Sequence, residues 1–283
     1  MRYLAALICF AVLAFAGMDG QTGSSAPMES RPVHGTDGIT LTVENTFDPV
    51  TKALGLDIIE DVTFTYVLGT NNEDLVVQAY DAYTGNPLGS LPLDPANGSC
   101  FGVAWNNDLA DDTYYTSDWN STSLFYTDDF GLNWSTYPSP AGDRARGMDF
   151  DGTDYWTTNG TGGGLWRFQP GVGESNLAIP EVTGQPSGVT TFPYEGDVGV
   201  AVTTYSDHSV WFYVWDGASL TYLGSAPCPL PCSSSYGLAY SSNTDTIFWS
   251  YRDTGNNYKI SELSFDISVA LQQETWGSIK TTF

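Results

Sequence analysis

A glycine followed by alternating apolar residues recurs five times in this chain of 283 residues. The intervals between the glycines are 47, 45, 41 and 49 residues. The five glycines are Gly55, Gly102, Gly147, Gly188 and Gly237. An aspartate lies six to ten residues after each glycine and opens the next run of apolar and β-branched residues. Because a period of roughly 40 to 50 residues is typical of folds that repeat one supersecondary unit, we expect one domain built from five such units.

Each unit is predicted to contain four antiparallel strands. In residues 101–138, four short runs rich in aromatic and β-branched residues are separated by Asn, Asp, Gly and Ser, which is typical of a β-meander. The other units show third runs at residues 75–80, 164–168, 210–215 and 258–265, and fourth runs at residues 88–93, 177–179 and 220–224. No apolar stripe of helical period is found. Four strands in a repeat of this length predict an all-β fold, a five-bladed β-propeller.

The glycines and residues 39–43 bear on how the ring closes. Innermost strands crowd around the axis of a propeller, where a Cβ would clash with the next backbone, so each glycine is expected at the head of an innermost strand. Residues 39–43 alternate as a strand and have two interpretations. They either belong to a poorly marked sixth blade or, as we predict, complete the fifth blade beside C-terminal strands so that no long edge is exposed. Residues 276–282 are a weaker candidate for the fourth strand of that blade.

The N-terminal region precedes the repeats. Residues 1–16 are predicted to be a signal peptide, because Arg2 is followed by an apolar run over residues 4–15 and small residues flank Phe15 at a cleavage site before Gly17. The run is shorter than the roughly 20 residues that span a bilayer. Residues 17–38 are polar and rich in Gly and Ser, which favours a disordered linker, and residues 39–283 are assigned to the propeller. We therefore expect a secreted protein, located outside the cell, on its surface or in a periplasm.

The chain is strongly acidic, with 33 Asp and Glu residues against 9 Lys and Arg residues and a formal net charge of −24. Such a surface repels nucleic-acid phosphates and anionic membranes, so neither is an expected partner. The charge favours solubility, and binding of a cation such as Ca²⁺ is the alternative. No organic cofactor is predicted, and the presence of a metal is left open.

The cysteines suggest one intramolecular bridge. Cys228 and Cys232 flank a Pro-Leu-Pro sequence and can close a small loop by a disulfide in an oxidising compartment, although the spacing alone does not fix the Cβ geometry. A zinc site is not expected, because there is no second cysteine pair and His34 and His208 are the only histidines. Cys100 is left over, either as a buried apolar side chain or as a thiol available to another chain.

Two hairpin segments resemble turns of known propeller families. The segment with Thr127, Asp129, Gly131 and Trp134 resembles the Asp-box of sialidase-type propellers, in which the carboxylate closes the turn and the indole packs between strands. Residues 80–88 resemble the Asp-x-x-Thr-Gly turn of quinoprotein-type blades. Both motifs are structural in their families, so the resemblance implies the propeller fold and no activity. The arginine triad of sialidases and the repeated tryptophan motif of quinoproteins are not found.

Ligand candidates follow from the geometry of propellers. Loops from a fourth strand to the next first strand, and from a second to a third strand, emerge on one face around the channel mouth, which is the usual ligand site. Candidates on that face are Asp118, Trp119, Arg144, Arg146, Asp207, His208, Arg252 and Asp253. Trp119 can stack on a sugar ring or remain a rim aromatic. The two arginines can clamp a carboxylate or pair with Asp143 and Asp149, and His208 can act as a base or form an ordinary polar turn.

No nucleophile, base and orienting group occur together, so no catalytic residue is assigned. The sequence favours a non-catalytic, secreted propeller that binds a glycan or an extracellular protein, or that serves as an extracellular building block. The alternative is a carbohydrate-active hydrolase with two carboxylates at the channel mouth, about 5–9.5 Å apart. Self-assembly is a third interpretation, suggested by Cys100 and an exchangeable end strand.

Overall fold

The computed structural model describes residues 33–34, 38–106, 113–161 and 163–267. These residues form twenty-one β-strands in five antiparallel sheets. They contain no α-helix, and therefore no helix that could cross a membrane. The chain begins with β1 (Val33–His34) and β2 (Ile39–Phe47).

Each sheet is one blade, and in blades 1 to 4 the strands follow sequence order from the axis outwards. Blade 1 consists of β3 (Leu56–Asp61), β4 (Phe64–Asn71), β5 (Val76–Asp81) and β6 (Pro87–Pro92). Blade 2 consists of β7 (Cys100–Trp105), β8 (Tyr114–Asp118), β9 (Ser123–Thr127) and β10 (Ser135–Pro138). Blade 3 consists of β11 (Ala145–Phe150), β12 (Tyr155–Asn159), β13 (Gly164–Gln169) and β14 (Gly173–Ala178).

The strands of the last two blades are longer than most strands of the first three. Blade 4 consists of β15 (Pro186–Tyr194), β16 (Asp197–Thr204), β17 (Ser209–Trp215) and β18 (Leu220–Pro227). Blade 5 contains β19 (Cys232–Ser241), β20 (Thr246–Asp253) and β21 (Tyr258–Ile267). The predicted five-bladed propeller with four antiparallel strands per blade is confirmed.

Strand β2 completes blade 5. It pairs antiparallel with β21, with Ile39 opposite Ile267 and Phe47 opposite Ile260, and β1 adds a short outer edge. The prediction that residues 39–43 close the last blade is therefore confirmed, and the sixth-blade alternative is wrong. Strand β1 lies within the segment predicted as a linker, and residues 276–282 lie outside the described residues.

The five glycines form a closed ring around the axis. A Cβ built on Gly55 would lie 2.5 Å from the Cα of Gly102, and a Cβ on Gly102 would lie 3.0 Å from the carbonyl carbon of Gly147. The same relation leads to Gly188, then to Gly237, and from there back to Gly55. Real Cβ atoms do not approach backbone this closely, so the fold selects glycine at the head of each innermost strand, as predicted.

Buried hydroxyl groups tie neighbouring blades together beside this ring. Four of them lie on second strands, namely Thr70, Ser117, Thr158 and Ser250. Each hydroxyl accepts a hydrogen bond from the N–H of its own blade's central glycine and donates one to a carbonyl of the next blade. In blade 4, the hydroxyl that donates to the next blade belongs to Ser187 on the first strand, and its acceptor is the carbonyl of Ser235 at 3.1 Å. These hydroxyl groups were not identified from the sequence.

An apolar core fills each of the five interfaces between blades. The core between blades 5 and 1, for example, contains Leu56, Val67, Phe248 and Ile260. Full burial of such a side chain contributes about 1.5–3 kcal/mol, so the closed ring is stabilised by its interfaces as well as by pairing within its sheets.

The two faces of the propeller differ in the connections they carry. The loop face contains the connections from second to third strands and from fourth strands to the next blade. The hairpin face contains the connections from first to second and from third to fourth strands. The ligand candidates named from the sequence lie on the loop face.

Candidate functional site

The loop face carries an arginine cluster, formed by Arg144, Arg146, Trp119, Phe101 and Tyr205. The Cζ atom of Arg146 lies 3.9 Å from the centroid of the Trp119 ring, 5.1 Å from that of Tyr205 and 5.4 Å from that of Phe101. Arg144 stacks on the same indole at 4.7 Å. Cation–π contacts of this kind hold both guanidinium groups near the axis.

Residues that immediately precede the central glycines close the axis at this end. They are Leu54, Phe101, Arg146, Ser187 and Tyr236, and all five are buried. Their carbonyl groups surround the glycine ring, and the rings of Phe101 and Tyr236 pack on each other at 6.2 Å. The loop-face end of the axis is thus filled by large side chains.

Arg146 is buried without a carboxylate partner. Its Nη2 donates to Oε1 of Gln185 at 3.1 Å, whereas Nε and Nη1 have no hydrogen-bond partner among the described residues. Burial, with a smaller contribution from the nearby Arg144 charge, lowers the pKa of Arg146 to about 10. No ion pair between described residues joins either arginine to Asp143 or Asp149, the pairing that the sequence suggested.

The acidic loop-face candidates support turns. Asp118 accepts hydrogen bonds from the N–H groups of Ser99 at 3.0 Å and Asn120 at 2.6 Å. Asp253 accepts one from the N–H of Asn257 at 2.8 Å, which lowers its pKa. Asp207 is exposed. The carboxylates of Asp118 and Asp253 therefore stabilise the loops in which they lie.

The two basic candidates outside the arginine cluster, His208 and Arg252, also form hydrogen bonds with nearby residues of the protein. His208 has a positive φ of 53°, and its carbonyl accepts a hydrogen bond from the N–H of Cys228 at 2.7 Å. Arg252 donates to the hydroxyl of Ser234 at 3.5 Å and lies close enough to Tyr236 to act on its pKa. The structure therefore brings Trp119, Arg144 and Arg146 into direct contact and leaves the other candidates around them.

The three described cysteines are free thiols. Burial raises the pKa of Cys228 well above its ordinary value, with a contribution from the neighbouring Cys232, so the two thiols are close but the predicted disulfide is not formed in this structure. Cys100 is fully buried between blades 1 and 2, and burial raises its pKa to about 12. Its position matches the first of its two interpretations, a buried apolar side chain.

The turn that resembles an Asp-box is held by its own side chains. The hydroxyl of Thr127 donates to Asp129 at 2.8 Å and accepts from the N–H of Gly131 at 3.0 Å. Asp129 also accepts from the N–H of Asn133 at 2.9 Å. The indole of Trp134 donates to the carbonyl of Pro92 in blade 1 at 3.2 Å, so this turn anchors blade 2 to its neighbour.

A second feature, the axial pocket, opens onto the hairpin face. It is a cavity of about 460 Å³ on the axis. Every blade contributes to the lining the residue that lies three positions after its central glycine, namely Ile58, Trp105, Phe150, Thr191 and Tyr240. None of these five residues was a ligand candidate from the sequence. Concave sites with aromatic walls and a few convergent polar groups are typical ligand sites.

Carboxylates dominate the polar lining of the axial pocket. They belong to Asp57, Glu60, Asp149, Asp151 and Asp197, and no basic residue is among the described residues that line the cavity. A cleft lined by charges of one sign focuses the electrostatic field, so this pocket attracts positive charge.

Asp57 and Asp149 occupy the same position in the repeat, two residues after the central glycines of blades 1 and 3. Asp57 accepts hydrogen bonds from the backbone N–H groups of Ile58 (2.7 Å) and Trp105, and Asp149 accepts from the N–H (2.7 Å) and hydroxyl of Thr191. Each carboxylate thus reaches the innermost strand of the next blade and is held in one orientation.

Burial raises the pKa of both carboxyl groups. The pKa of Asp149 rises to about 7, even though its hydrogen bonds to Thr191 act in the opposite direction. The pKa of Asp57 is raised well above its ordinary value by burial and, in addition, by the charge of Asp149. The charge of Asp149 therefore acts on the protonation of Asp57 across the pocket.

The other pocket side chains supply aromatic surface and one unused donor. Trp105 is 7% exposed, and its Nε1 has no hydrogen-bond partner among the described residues. Glu60 is fixed by hydrogen bonds from Ser241 and Ser242 at 2.6–2.7 Å, and the hydroxyl of Tyr240 donates to Asp245 at 2.8 Å. A ligand can therefore meet carboxylate acceptors, aromatic faces and an indole donor.

A search of the described residues finds no group of three or more His, Cys, Asp or Glu side chains arranged to hold a metal ion. The binding of Ca²⁺ suggested by the charge of the chain stays a prediction. One signal for the pocket was visible in the sequence, because Asp57 and Asp149 stand at the same offset from their glycines.

Comparison with known proteins supports the fold and leaves the activity open. No family model matches the chain, and no curated protein matches it. Glutaminyl cyclase from Myxococcus xanthus has a TM-score of 0.57 and 14% identity, over 83% of this chain and 99% of that chain. A PQQ-bound aldose sugar dehydrogenase from Streptomyces coelicolor has a TM-score of 0.54 and 12% identity, over 82% of this chain and 100% of that chain.

A chain from a nidogen–laminin complex is also similar, with a TM-score of 0.53 and 11% identity, over 83% of this chain and 96% of that chain. These proteins differ in their activities, and their low sequence identity means that the likeness concerns the propeller fold alone.

Proposed function

We propose that this chain is a secreted, non-catalytic propeller that binds a glycan in its axial pocket. The observation that carries the proposal is the lining of that pocket, where Trp105, Phe150 and Tyr240 lie beside the fixed carboxylates of Asp57 and Asp149. Aromatic faces stack on the apolar faces of sugar rings, and carboxylates accept hydrogen bonds from hydroxyl groups. Secretion rests on the apolar segment at residues 4–15.

The contrast between the two ends of the axis supports this choice of face. At the loop face the axis is filled by buried side chains such as Phe101, Arg146 and Tyr236, whereas at the hairpin face it is open. Arg146, one of the loop-face candidates named from the sequence, therefore has a competing role in closing this end of the axis. The axial pocket has a volume suited to one or a few sugar units.

Calorimetric titration with neutral and charged oligosaccharides, chosen from hits on a glycan array, tests the proposal. Trp105→Phe removes the unused indole donor and keeps an aromatic ring, and we expect it to weaken binding about tenfold, the loss typical of one hydrogen bond. Trp119→Phe on the loop face is the matched control and should bind as the unsubstituted protein does. Loss of binding in the Trp119 variant with full binding in the Trp105 variant would move the site to the loop face. The absence of any glycan hit would overturn the proposal.

Protein recognition is a second candidate for the same face. Four large apolar side chains are exposed at the tips of hairpin-face turns, namely Val62, Tyr83, Leu132 and Val172. The similarity to a chain from a nidogen–laminin complex is consistent with a protein partner. Replacing Leu132 and Val172 with Ser should weaken protein binding and leave binding of a short glycan unchanged.

Hydrolysis is the alternative in which the carboxylates act as catalysts. The observation that favours it is the raised pKa of Asp149, about 7, beside the second buried carboxyl group of Asp57. A general acid with such a pKa can protonate a glycosidic oxygen near neutral pH. Hydrolysis of aryl glycosides that is abolished by Asp149→Asn would establish this alternative. A purified protein that binds oligosaccharides and releases no product would exclude it for those substrates.

A further inference from the structure

We infer that the glycan bound in the axial pocket is cationic, an amino sugar such as a glucosamine unit with a free ammonium group. This inference rests on the proposed glycan-binding function and specifies the chemical class of its ligand. It follows from the charge of the lining, the fixed positions of the carboxylates and the unused indole donor.

The charge of the lining comes first. Five carboxylates face the cavity from blades 1, 3 and 4, and none of the described lining residues carries a positive charge. Asp154 has Arg167 as an ion-pair partner elsewhere in blade 3, and Asp48 has Lys259. None of the pocket carboxylates takes part in an ion pair between described residues. Glu60, Asp151 and Asp197 are less buried than Asp57 and Asp149 and supply the standing negative charge of the pocket. An ammonium group would also stabilise the ionised forms of Asp57 and Asp149, so a cationic ligand would be bound more tightly than a neutral one.

The positions of the carboxylates come second. Asp57 and Asp149 are each held by two hydrogen bonds, and Glu60 is held by Ser241 and Ser242. An ionised carboxylate offers about four acceptor positions, so each retains capacity for a ligand donor after these bonds are made. Their side chains are already ordered, which reduces the entropic cost of binding an ammonium group.

The indole donor comes third, and it separates an amino sugar from a simpler cation. Trp105 lines the pocket, and its buried Nε1 has no partner among the described residues. An ammonium group has no acceptor to offer it, whereas a sugar hydroxyl or ring oxygen does. The aromatic faces of Trp105 and Tyr240 can also stack on the sugar ring or contact the ammonium group. A ligand with an ammonium group and neighbouring hydroxyl groups satisfies all of these features.

Three tetrasaccharides with the same β-1,4 linkage test the inference by calorimetric titration: cellotetraose, the N-acetylglucosamine tetramer and the glucosamine tetramer. They differ only in the substituent at carbon 2. We expect the glucosamine tetramer to bind at least about tenfold more tightly than the other two, the gain typical of one charge-assisted hydrogen bond. The difference should shrink when the salt concentration is raised from about 20 mM to about 500 mM, because salt screens ionic attraction.

Matched variants separate the pocket from the general negative charge of the surface. Asp149→Asn and Asp197→Asn should each reduce the preference for glucosamine, and Asp197 is exposed, so that variant is expected to fold normally. Asp253→Asn on the loop face removes the same charge and should leave the preference unchanged. An equal loss in the Asp253 variant would overturn the inference, because the attraction would then be nonspecific.

The remaining outcomes distinguish the two proposals. Equal affinity for cellotetraose and the glucosamine tetramer would overturn the inference and leave the proposed glycan binding intact. If none of the three tetrasaccharides binds and the glycan array gives no hit, the proposed function itself is wrong.

Discussion

Gly237 in the last blade packs against the backbone of Gly55 in the first. A Cβ built on Gly237 would lie 2.8 Å from the Cα of Gly55 and 2.5 Å from both the carbonyl oxygen of Leu54 and the N–H nitrogen of Leu56. This contact joins residues that are far apart in the sequence and completes the ring. The seam between blades 5 and 1 therefore depends on the absence of a side chain.

The contact predicts the effect of adding one methyl group at the seam. Gly237→Ala should lower the free energy of unfolding by about 1–3 kcal/mol, because the new Cβ meets rigid backbone that must shift. Gly173→Ala is the control, since nothing lies within 4 Å of a Cβ at that position and its φ is not positive. Urea denaturation of both variants measures the difference. Equal stability of the two variants would contradict the packing of the glycine ring.

The hydroxyl of Ser250 provides a second prediction at the same seam. It accepts from the N–H of Gly237 at 2.8 Å and donates to the carbonyl of Leu54. Ser250→Ala leaves both backbone groups buried without this partner, so we expect a loss of about 1–3 kcal/mol in the free energy of unfolding. Ser175→Ala on an exposed edge strand should change it by less than about 0.5 kcal/mol. A Ser250 variant as stable as the Ser175 variant would show that the blades are not tied through this hydroxyl.

Much of the fold could be predicted from the sequence because its determinants are local and repeated. The spacing of Gly55 and Gly102 fixes the length of a blade, and the alternation over residues 39–43 identifies the closing strand. In blade 4, the hydroxyl that donates to the next blade lies on Ser187 of the first strand instead of on the second strand. This difference could not be predicted from the sequence. The register shift beside the central glycine does not distinguish blade 4, because blades 2, 3 and 5 have one too.

The candidate site was less predictable, because it depends on which end of the axis is filled. The residues that precede the central glycines include Phe101 and Arg146, which are large enough to close the loop face. The repeat pattern gives the position of each residue along its strand, but the size of the opening depends on five side chains that meet only in the folded ring.

The buried guanidinium of Arg146 leads to a prediction with two variants. Arg146→Met should leave the free energy of unfolding equal to or above that of the unsubstituted protein, because an apolar side chain of similar length replaces a buried charge that lacks a carboxylate partner. Arg146→Ala should lower it by about 1–3 kcal/mol, because it removes contacts with Trp119 and Phe101. If the Met variant is as unstable as the Ala variant, the charge itself contributes through its stacking on the aromatic rings.

Asp149 predicts a dependence of stability on pH. Burial raises its pKa in the folded state to about 7 from an ordinary value near 3.8, so between these values the folded protein binds a proton that the unfolded chain has lost. The contribution of Asp149 to stability is therefore fully present below about pH 4 and is lost as the pH rises towards about 7. Since one pKa unit corresponds to about 1.4 kcal/mol, the loss should amount to a few kcal/mol.

The comparison of the unsubstituted protein with Asp149→Asn removes the titration of Asp149 together with the charge that raises the pKa of Asp57. The contributions of the acidic groups remote from this pair are common to both proteins. The Asn side chain keeps an oxygen that can accept the hydrogen bonds from Thr191, and it does not titrate. The stability of the variant relative to the unsubstituted protein should therefore rise between about pH 4 and pH 7 and then level off. Urea denaturation at intervals across this range measures the difference, and a difference that does not change with pH would show that Asp149 is not buried as a protonated carboxyl group.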